Sequence, residues 1–129
     1  MLLRFVFLGI KSANHAQTRI NKRKSANFGW YYYTRFVLGG LYKTKLKKTS
    51  FKNLKLDDVD FTESDLSGSV FDNCDLTGAT FENTIIEKAD FRTAFNFSIN
   101  PEINRIKQAK FSLSGLPGLL NKYNIEIDY

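Results

Sequence analysis

Residues 59–78 read VDFTE-SDLSG-SVFDN-CDLTG, four groups of five with Phe or Leu at the third place of each. The spacing extends both ways: Leu41, Leu46, Phe51, Leu56, Phe61, Leu66, Phe71, Leu76, Phe81, Ile86 and Phe91 stand at every fifth position without a break. A helix repeats its apolar residues at three and four, and a half-buried strand at two, so neither period accounts for the series. A fixed interval of this kind belongs to stacked repeats. Two positions ahead of each centre runs a second row of mostly small or β-branched residues, among them Thr44, Thr49, Val59, Ser64, Ser69, Cys74, Ala79, Thr84 and Ala89, with Gly39 at its start. The neighbours of each centre are mostly polar and face water, with Val70 and Ile85 as exceptions. Two places after the centres stand Asn53, Gly68, Asn73, Gly78 and Asn83, residues that accept turn conformations.

Each group of five therefore supplies one short side and one corner, and four sides close a coil of twenty residues. Coils then stack through backbone hydrogen bonds about 4.8 Å apart. The motif of a small residue, Asp or Asn, Leu or Phe and two polar residues is clearest at Val59–Glu63, Ser64–Gly68, Cys74–Gly78 and Ala89–Thr93. In this it resembles the pentapeptide-repeat family. The resemblance implies an all-β fold, a right-handed quadrilateral β-helix over residues 41–116, ended by a short C-terminal helix and strand as a cap or dimerisation segment over 117–129. The core is expected from Leu46, Phe51, Leu56, Phe61, Leu66, Phe71, Leu76, Phe81, Ile86, Phe91 and Phe111.

A twenty-residue coil makes a further demand, that positions twenty apart lie over one another. Phe51, Phe71, Phe91 and Phe111 would form one column, and Leu46, Leu66, Ile86 and Ile106 another; both are chemically uniform. Outward positions give an independent check, because opposite charges one strand apart help and like charges repel. The expected pairs are Lys43 with Glu63, Lys45 with Asp65, Lys52 with Asp72, Lys55 with Asp75, Asp72 with Arg92, Glu87 with Lys107 and Asp90 with Lys110. Only Glu82 over Glu102 is like-charged.

The phase falters at Asn96 and Pro101 and returns at Ile106, Phe111 and Leu116, which implies a last coil with a loop around Ser98–Asn104. Beyond it, Ser114 is placed to cap a helix through Lys122 with Pro117 in the first turn, and Asn124–Asp128 reads as a strand. Leu116, Leu119, Leu120, Tyr123, Ile125 and Ile127 offer more apolar surface than one short helix needs. Two readings compete: an intramolecular cap over the end of the stack, and a homodimer face, as the resemblance implies for some members.

Residues 1–40 follow none of this. They carry seven basic and no acidic residues, and Arg19, Lys22, Arg23 and Lys24 precede Trp30, Tyr31, Tyr32 and Tyr33. Disorder, a hydrophobic cap over the first coil, nucleic-acid contact through the basic and aromatic cluster, and foreign sequence joined by a frame change to a truncated repeat protein are the readings this segment supports. Phe5–Ile10 is too short an apolar run to span a membrane. Ala13–Ala16 only superficially resembles a signal-peptide cleavage site.

The 129 residues suit one core, and the 19 Lys and Arg against 13 Asp and Glu give a net charge of +6. Cys74 is the single cysteine, which excludes an intramolecular disulfide and a cysteine-based zinc cluster and fits a reducing, cytoplasmic setting. With His15 the sole histidine, an acid, base and nucleophile set can scarcely be assembled. No glycine-rich phosphate loop or metal-ligand spacing occurs, so no catalytic, cofactor or metal site is assigned. Asp57, Asp58, Asp60, Glu63 and Asp65 crowd together, but the repeat frame sends them outward as an acidic surface for a partner. The expected role is a non-enzymatic scaffold for a protein partner, with no membrane contact. The quinolone-resistance and self-immunity members imply an alternative, an acidic DNA-like rod that binds DNA gyrase or topoisomerase IV. The positive net charge and the short stack depart from that pattern. Nucleic-acid binding through residues 1–40 is a further alternative.

Overall fold

The computed structural model describes residues 41–129. Readings placed on Gly39, His15, the basic and aromatic cluster and the rest of residues 1–40 lie outside the described residues. Four parallel ladders organise the chain, each in a register of twenty. The first joins Lys45, Asp65, Ile85 and Arg105; the second Ser50, Val70, Asp90 and Lys110; the third Lys55, Asp75 and Phe95; the fourth Asp60 and Thr80. The ladders start five residues apart, so each coil of twenty has four sides. Only the second is regular enough to form named strands, β1 (Ser50–Lys52) and β2 (Val70–Asp72), paired in parallel with Phe51 opposite Phe71. Elsewhere each strand is a single bridged residue between corners.

The corners explain how so short a side is possible. Ten successive positions at intervals of five, from Lys43 to Lys88, have φ between 51 and 70°, and five of them are not Asn or Gly. In many of them the residue after the corner donates its N–H to the centre's carbonyl, as Val59 does to Leu56 and Ala79 to Leu76. A positive φ at the third residue with that hydrogen bond is the type II turn arrangement. Lys43, Lys48, Asp58, Glu63 and Lys88 thus adopt the left-handed region despite a cost of about 1–2 kcal/mol each, because the neighbouring coil binds the corner amide. Lys48 N–H, for example, donates to Ser67 O at 2.9 Å.

Inside, the four centres of a coil alternate aliphatic and aromatic: Leu46, Phe51, Leu56, Phe61, then Leu66, Phe71, Leu76, Phe81. All eight are buried, as are Ile86 and Phe91; Phe111 is half-buried and packs against the same core. Phe51, Phe71 and Phe91 stack face to face at 4.6 and 4.7 Å between centroids, and Phe61 and Phe81 at 5.0 Å. The two columns meet edge to face, with Phe61 6.2 Å from Phe51, a geometry aromatic pairs favour. The small row is buried too, and its polar atoms bind carbonyls of the same or the preceding coil. Ser69 Oγ donates to Leu46 O, and Thr84 Oγ1 to Phe61 O.

The slip in the last coil differs from the one the spacing suggests. Asn96 stands exposed where a centre belongs, and Phe97 and Ile99 turn inward instead, with Phe97 5.7 Å from Phe91 and 5.6 Å from Phe111. Asn104 is not part of a loose loop but buried in a small-row slot. Its Oδ1 accepts Thr84 N–H, and its Nδ2 donates to Phe81 O and Asn100 O, replacing the contacts a regular corner would make.

The C-terminal segment also departs from expectation. In place of one helix there are a 3-10 turn (Leu113–Gly115), a single helical turn α1 (Pro117–Leu120) and a second 3-10 turn (Asn121–Tyr123), ended by Asn124 at φ 49°. Ser114 caps nothing; its Oγ lies 3.0 Å from Ser112 Oγ, while Pro117 does open α1. No strand forms over Asn124–Asp128, since the helical turns lie over the end of the stack and leave that tail no ladder to join. Ile99 N–H donates to Gly118 O, and a Cβ on Gly118 would fall 2.4 Å from Phe97 O, so only glycine permits this approach.

Candidate functional site

The outward side chains of a four-sided coil belong to flat sides, and the charges sort by side. The first side (44–48, 64–68, 84–88, 104–108) carries Lys45, Lys47, Lys48, Lys88, Arg105 and Lys107 against Asp65 and Glu87. The second (49–53, 69–73, 89–93, 109–113) carries Lys52, Arg92 and Lys110 against Asp72 and Asp90. The third (54–58, 74–78, 94–98) carries Lys55 against Asp57, Asp58 and Asp75. The fourth (59–63, 79–83, 99–103, with 41–43) carries Lys43 against Asp60, Glu63, Glu82 and Glu102. Two adjacent sides are thus basic by five charges and the other two acidic by five. The stack over 41–113 is electrically neutral but polarised across its section, and the +7 of the first forty residues accounts for the chain's basic balance.

Within each side the ion pairs run diagonally, unlike the direct stacking expected for most of them. Lys43 does meet Glu63, at 3.3 Å. Asp65, however, takes Lys47 at 3.5 Å rather than Lys45; Asp90 takes Arg92 of its own coil at 2.8 Å; and Glu87 takes Arg105 at 2.9 Å rather than Lys107. Asp72 accepts from Thr93 Oγ1, and Glu102 turns away from Glu82 to meet Lys122 and Tyr123 OH. The cause is local. An Asp just before a centre accepts the backbone N–H two residues on, as Asp60 does from Thr62, Asp65 from Ser67, Asp75 from Thr77 and Asp90 from Arg92. That turn pulls the carboxylate across the centre toward the position after it.

These bonds set the carboxyl affinities. Partial burial would raise Asp65 and Asp75, yet hydrogen bonds from Ser67 and Thr77, with Lys47 beside one and Asn96 and Lys55 beside the other, hold both below the usual carboxylate range. The Arg92 guanidinium does the same for Asp90 against a smaller burial effect. Asp60, Glu63 and Asp65 are thereby tied into turns and pairs, and the five expected acidic residues spread over three sides, with Asp57 and Asp58 on the third, Asp60 and Glu63 on the fourth and Asp65 on the first. Among the described residues no group of three or more His, Cys, Asp or Glu side chains gathers as metal ligands would. The Cys74 thiol is fully buried, 3.3 Å from Phe51 O, and burial pushes its pKa up to about 12.

The third side ends in a different kind of surface. Phe95, 43% exposed, sits below Asp75 and borders an open groove of about 720 Å³ between this side and the C-terminal turns, lined by Thr77, Phe97, Pro117, Gly118, Asn121 and Tyr129 among others. Of the C-terminal apolar residues, Leu119 packs on the core, Leu120 and Ile127 are half-buried, and Leu116, Tyr123 and Ile125 are exposed, joined by Leu113. Sequence spacing carried no sign of Phe95 as a surface residue beyond its place just before the failed centre at Asn96. Among the described residues no helix is long and apolar enough to cross a membrane.

Comparison with known proteins agrees with this geometry. Residues 55–92 match the family model of pentapeptide repeats, in eight copies. No curated protein matches the chain. Among solved structures it is similar to a pentapeptide-repeat protein of the Arabidopsis thaliana thylakoid lumen, with 21% identity and a TM-score of 0.53 over 58% of this chain and 52% of that one. It also aligns with two trypsin-treated forms of QnrB1, a plasmid-mediated fluoroquinolone resistance protein, at 12% identity and TM-scores of 0.34 and 0.35, over 63 and 64% of this chain and 45 and 47% of those. The chain spans about half the length of these structures. The likeness to the thylakoid protein concerns the fold and implies a right-handed winding. With side chains twenty residues apart stacked on four ladders and the repeat itself matched over 55–92, the coil of this chain is built of pentapeptide repeats.

Proposed function

We propose that this chain is a non-enzymatic, cytoplasmic scaffold that binds a protein partner, with residues 41–116 as the rigid coil and residues 117–129 serving both as its cap and as a face for a second copy. The observation that carries this reading is the exposure of Phe95, Leu113, Leu116, Tyr123 and Ile125 at one end of a coil whose other outward positions are polar with few exceptions. Exposed aromatic and aliphatic groups beside a groove are the composition of a protein interface. Sedimentation velocity of the full chain over a concentration series tests the second-copy part: a dimer that Ile125→Asp and Leu116→Asp convert to monomer supports it, and a wild-type monomer throughout removes it.

A second reading is a rod of the quinolone-resistance type that binds DNA gyrase or topoisomerase IV, and what favours it is the pair of adjacent acidic sides with Asp57, Asp58, Asp60, Glu63, Asp75 and Glu82. Gyrase supercoiling with and without a quinolone decides it. Protection, lost when Asp58 and Glu82 are changed to Lys, supports the reading; no inhibition and no protection excludes it.

A further inference from the structure

The first side presents a different chemistry from the end just described. Its two acidic residues are already engaged, Asp65 by Ser67 and Lys47, and Glu87 by Arg105. Lys45, Lys48, Lys88 and Lys107 have no ion-pair partner among the described residues. Lys45 opens the ladder that ends at Arg105, Lys48 and Lys88 lie in one corner column on either side of Gly68, and the Lys88 N–H donates to Lys107 O, which sets Lys107 one rung below. Like charges gathered on one side repel. The same bases spread over the acidic third and fourth sides would pair with carboxylates, so this arrangement does nothing for the stability of the coil.

We propose that the first side binds the phosphate backbone of a nucleic acid strand. The outward positions of this side are Lys, Arg, Asp, Glu, Ser, Gln and Gly, and Ile85, half-buried, is the one apolar residue among them. Protein interfaces deplete charge at their centre and enrich aromatic residues, the reverse of what stands here. A lipid surface needs a broad plane, whereas this side is a strip five residues wide whose edge meets the acidic fourth side at Glu63 and Glu82. A phosphate chain needs neither apolar area nor width; lysines along a strip neutralise it and release its counterions. The acidic third and fourth sides repel the same polymer, which confines it to one half of the coil. This surface is separate from the apolar C-terminal end, and from residues 1–40, whose seven basic residues offer a competing site.

The test is fluorescence anisotropy of the full chain with labelled oligothymidylate across about 50 to 200 mM salt. Lys45→Gln, Lys88→Asn and Lys107→Gln together remove three charges from the first side; Asn suits the left-handed corner at 88, where φ is 58°. The control, Lys43→Gln, Lys55→Gln and Lys122→Gln, removes the same charge elsewhere, and circular dichroism melts verify that both fold. The expected result is salt-sensitive binding that the first-side variant weakens about tenfold or more, with the salt slope reduced by about 2, and that the control leaves near wild type. Four results overturn the proposal: no binding by the wild type at low salt; unchanged affinity and slope in the first-side variant, which assigns binding to residues 1–40; equal losses in variant and control; or equally tight binding of polyglutamate, which marks an acidic protein as the ligand.

Discussion

Gly78 shows how much a single residue can carry in this coil. Its φ is +70°, and a Cβ there would fall 2.1 Å from Asp58 Oδ1 on the coil above. Gly78→Ala is expected to lower stability by about 1–2 kcal/mol in a thermal or urea melt; Gly68→Ala meets only Lys48 Cγ at 3.3 Å and should cost less. Cys74 makes an independent probe of the interior. With its pKa near 12, the thiol should resist a disulfide reagent at neutral pH in the folded chain and react at once in denaturant; rapid native labelling would contradict its placement. The turn aspartates set the pH response. Asp65, Asp75 and Asp90 have folded pKa values below their unfolded ones, so their contribution is full above the unfolded value and is lost as pH falls through the folded one. Melting temperature should therefore hold from neutral pH to about 5 and fall below about 4, less steeply in Asp65→Asn. The corners were only half legible in the sequence. Asn and Gly advertise the left-handed region, whereas Lys43, Lys48, Asp58, Glu63 and Lys88 adopt it because the next coil binds their amides, a cause no local propensity records.

At the scale of an element, the second ladder with its stacked Phe51, Phe71 and Phe91 was readable from spacing, because an interior position that recurs every twentieth residue leaves a chemically uniform column. The last coil was not. Asn96 breaks the phase, but the chain recovers by turning Phe97 and Ile99 inward at a period of two, and by lodging Asn104 where small residues usually sit. Such a repair depends on which side chains fit the end of the stack, and spacing does not rank them. Asn104→Ala leaves Thr84 N–H and Phe81 O without their partner in a buried place, and is expected to cost about 2–3 kcal/mol in a chemical melt. A neutral effect would mean that this coil is held by other contacts. The C-terminal strand failed as an expectation for a related reason: β-rich residues such as Ile125 and Ile127 need a free ladder, and the helical turns from Leu113 to Tyr123 lie over the end of the stack.

At the scale of the molecule, winding redistributes charge. Along the chain the bases precede the acids; around the coil they occupy opposite halves, and the lysines from 43 to 55 fall on all four sides. That polarity was present in the sequence as a remainder after division by twenty, but it becomes a surface only once four ladders give each remainder a side. The protein-binding and phosphate-binding proposals, like the acidic-rod reading, depend on this assignment of residues to sides. Nuclear Overhauser contacts in the full chain examine it most directly. The account predicts interstrand backbone contacts between Ser50 and Val70, Val70 and Asp90, and Lys55 and Asp75, with ring contacts from Phe51 through Phe71 to Phe91. Contacts at three and four residues through 41–93, or a ladder offset from twenty, would contradict it.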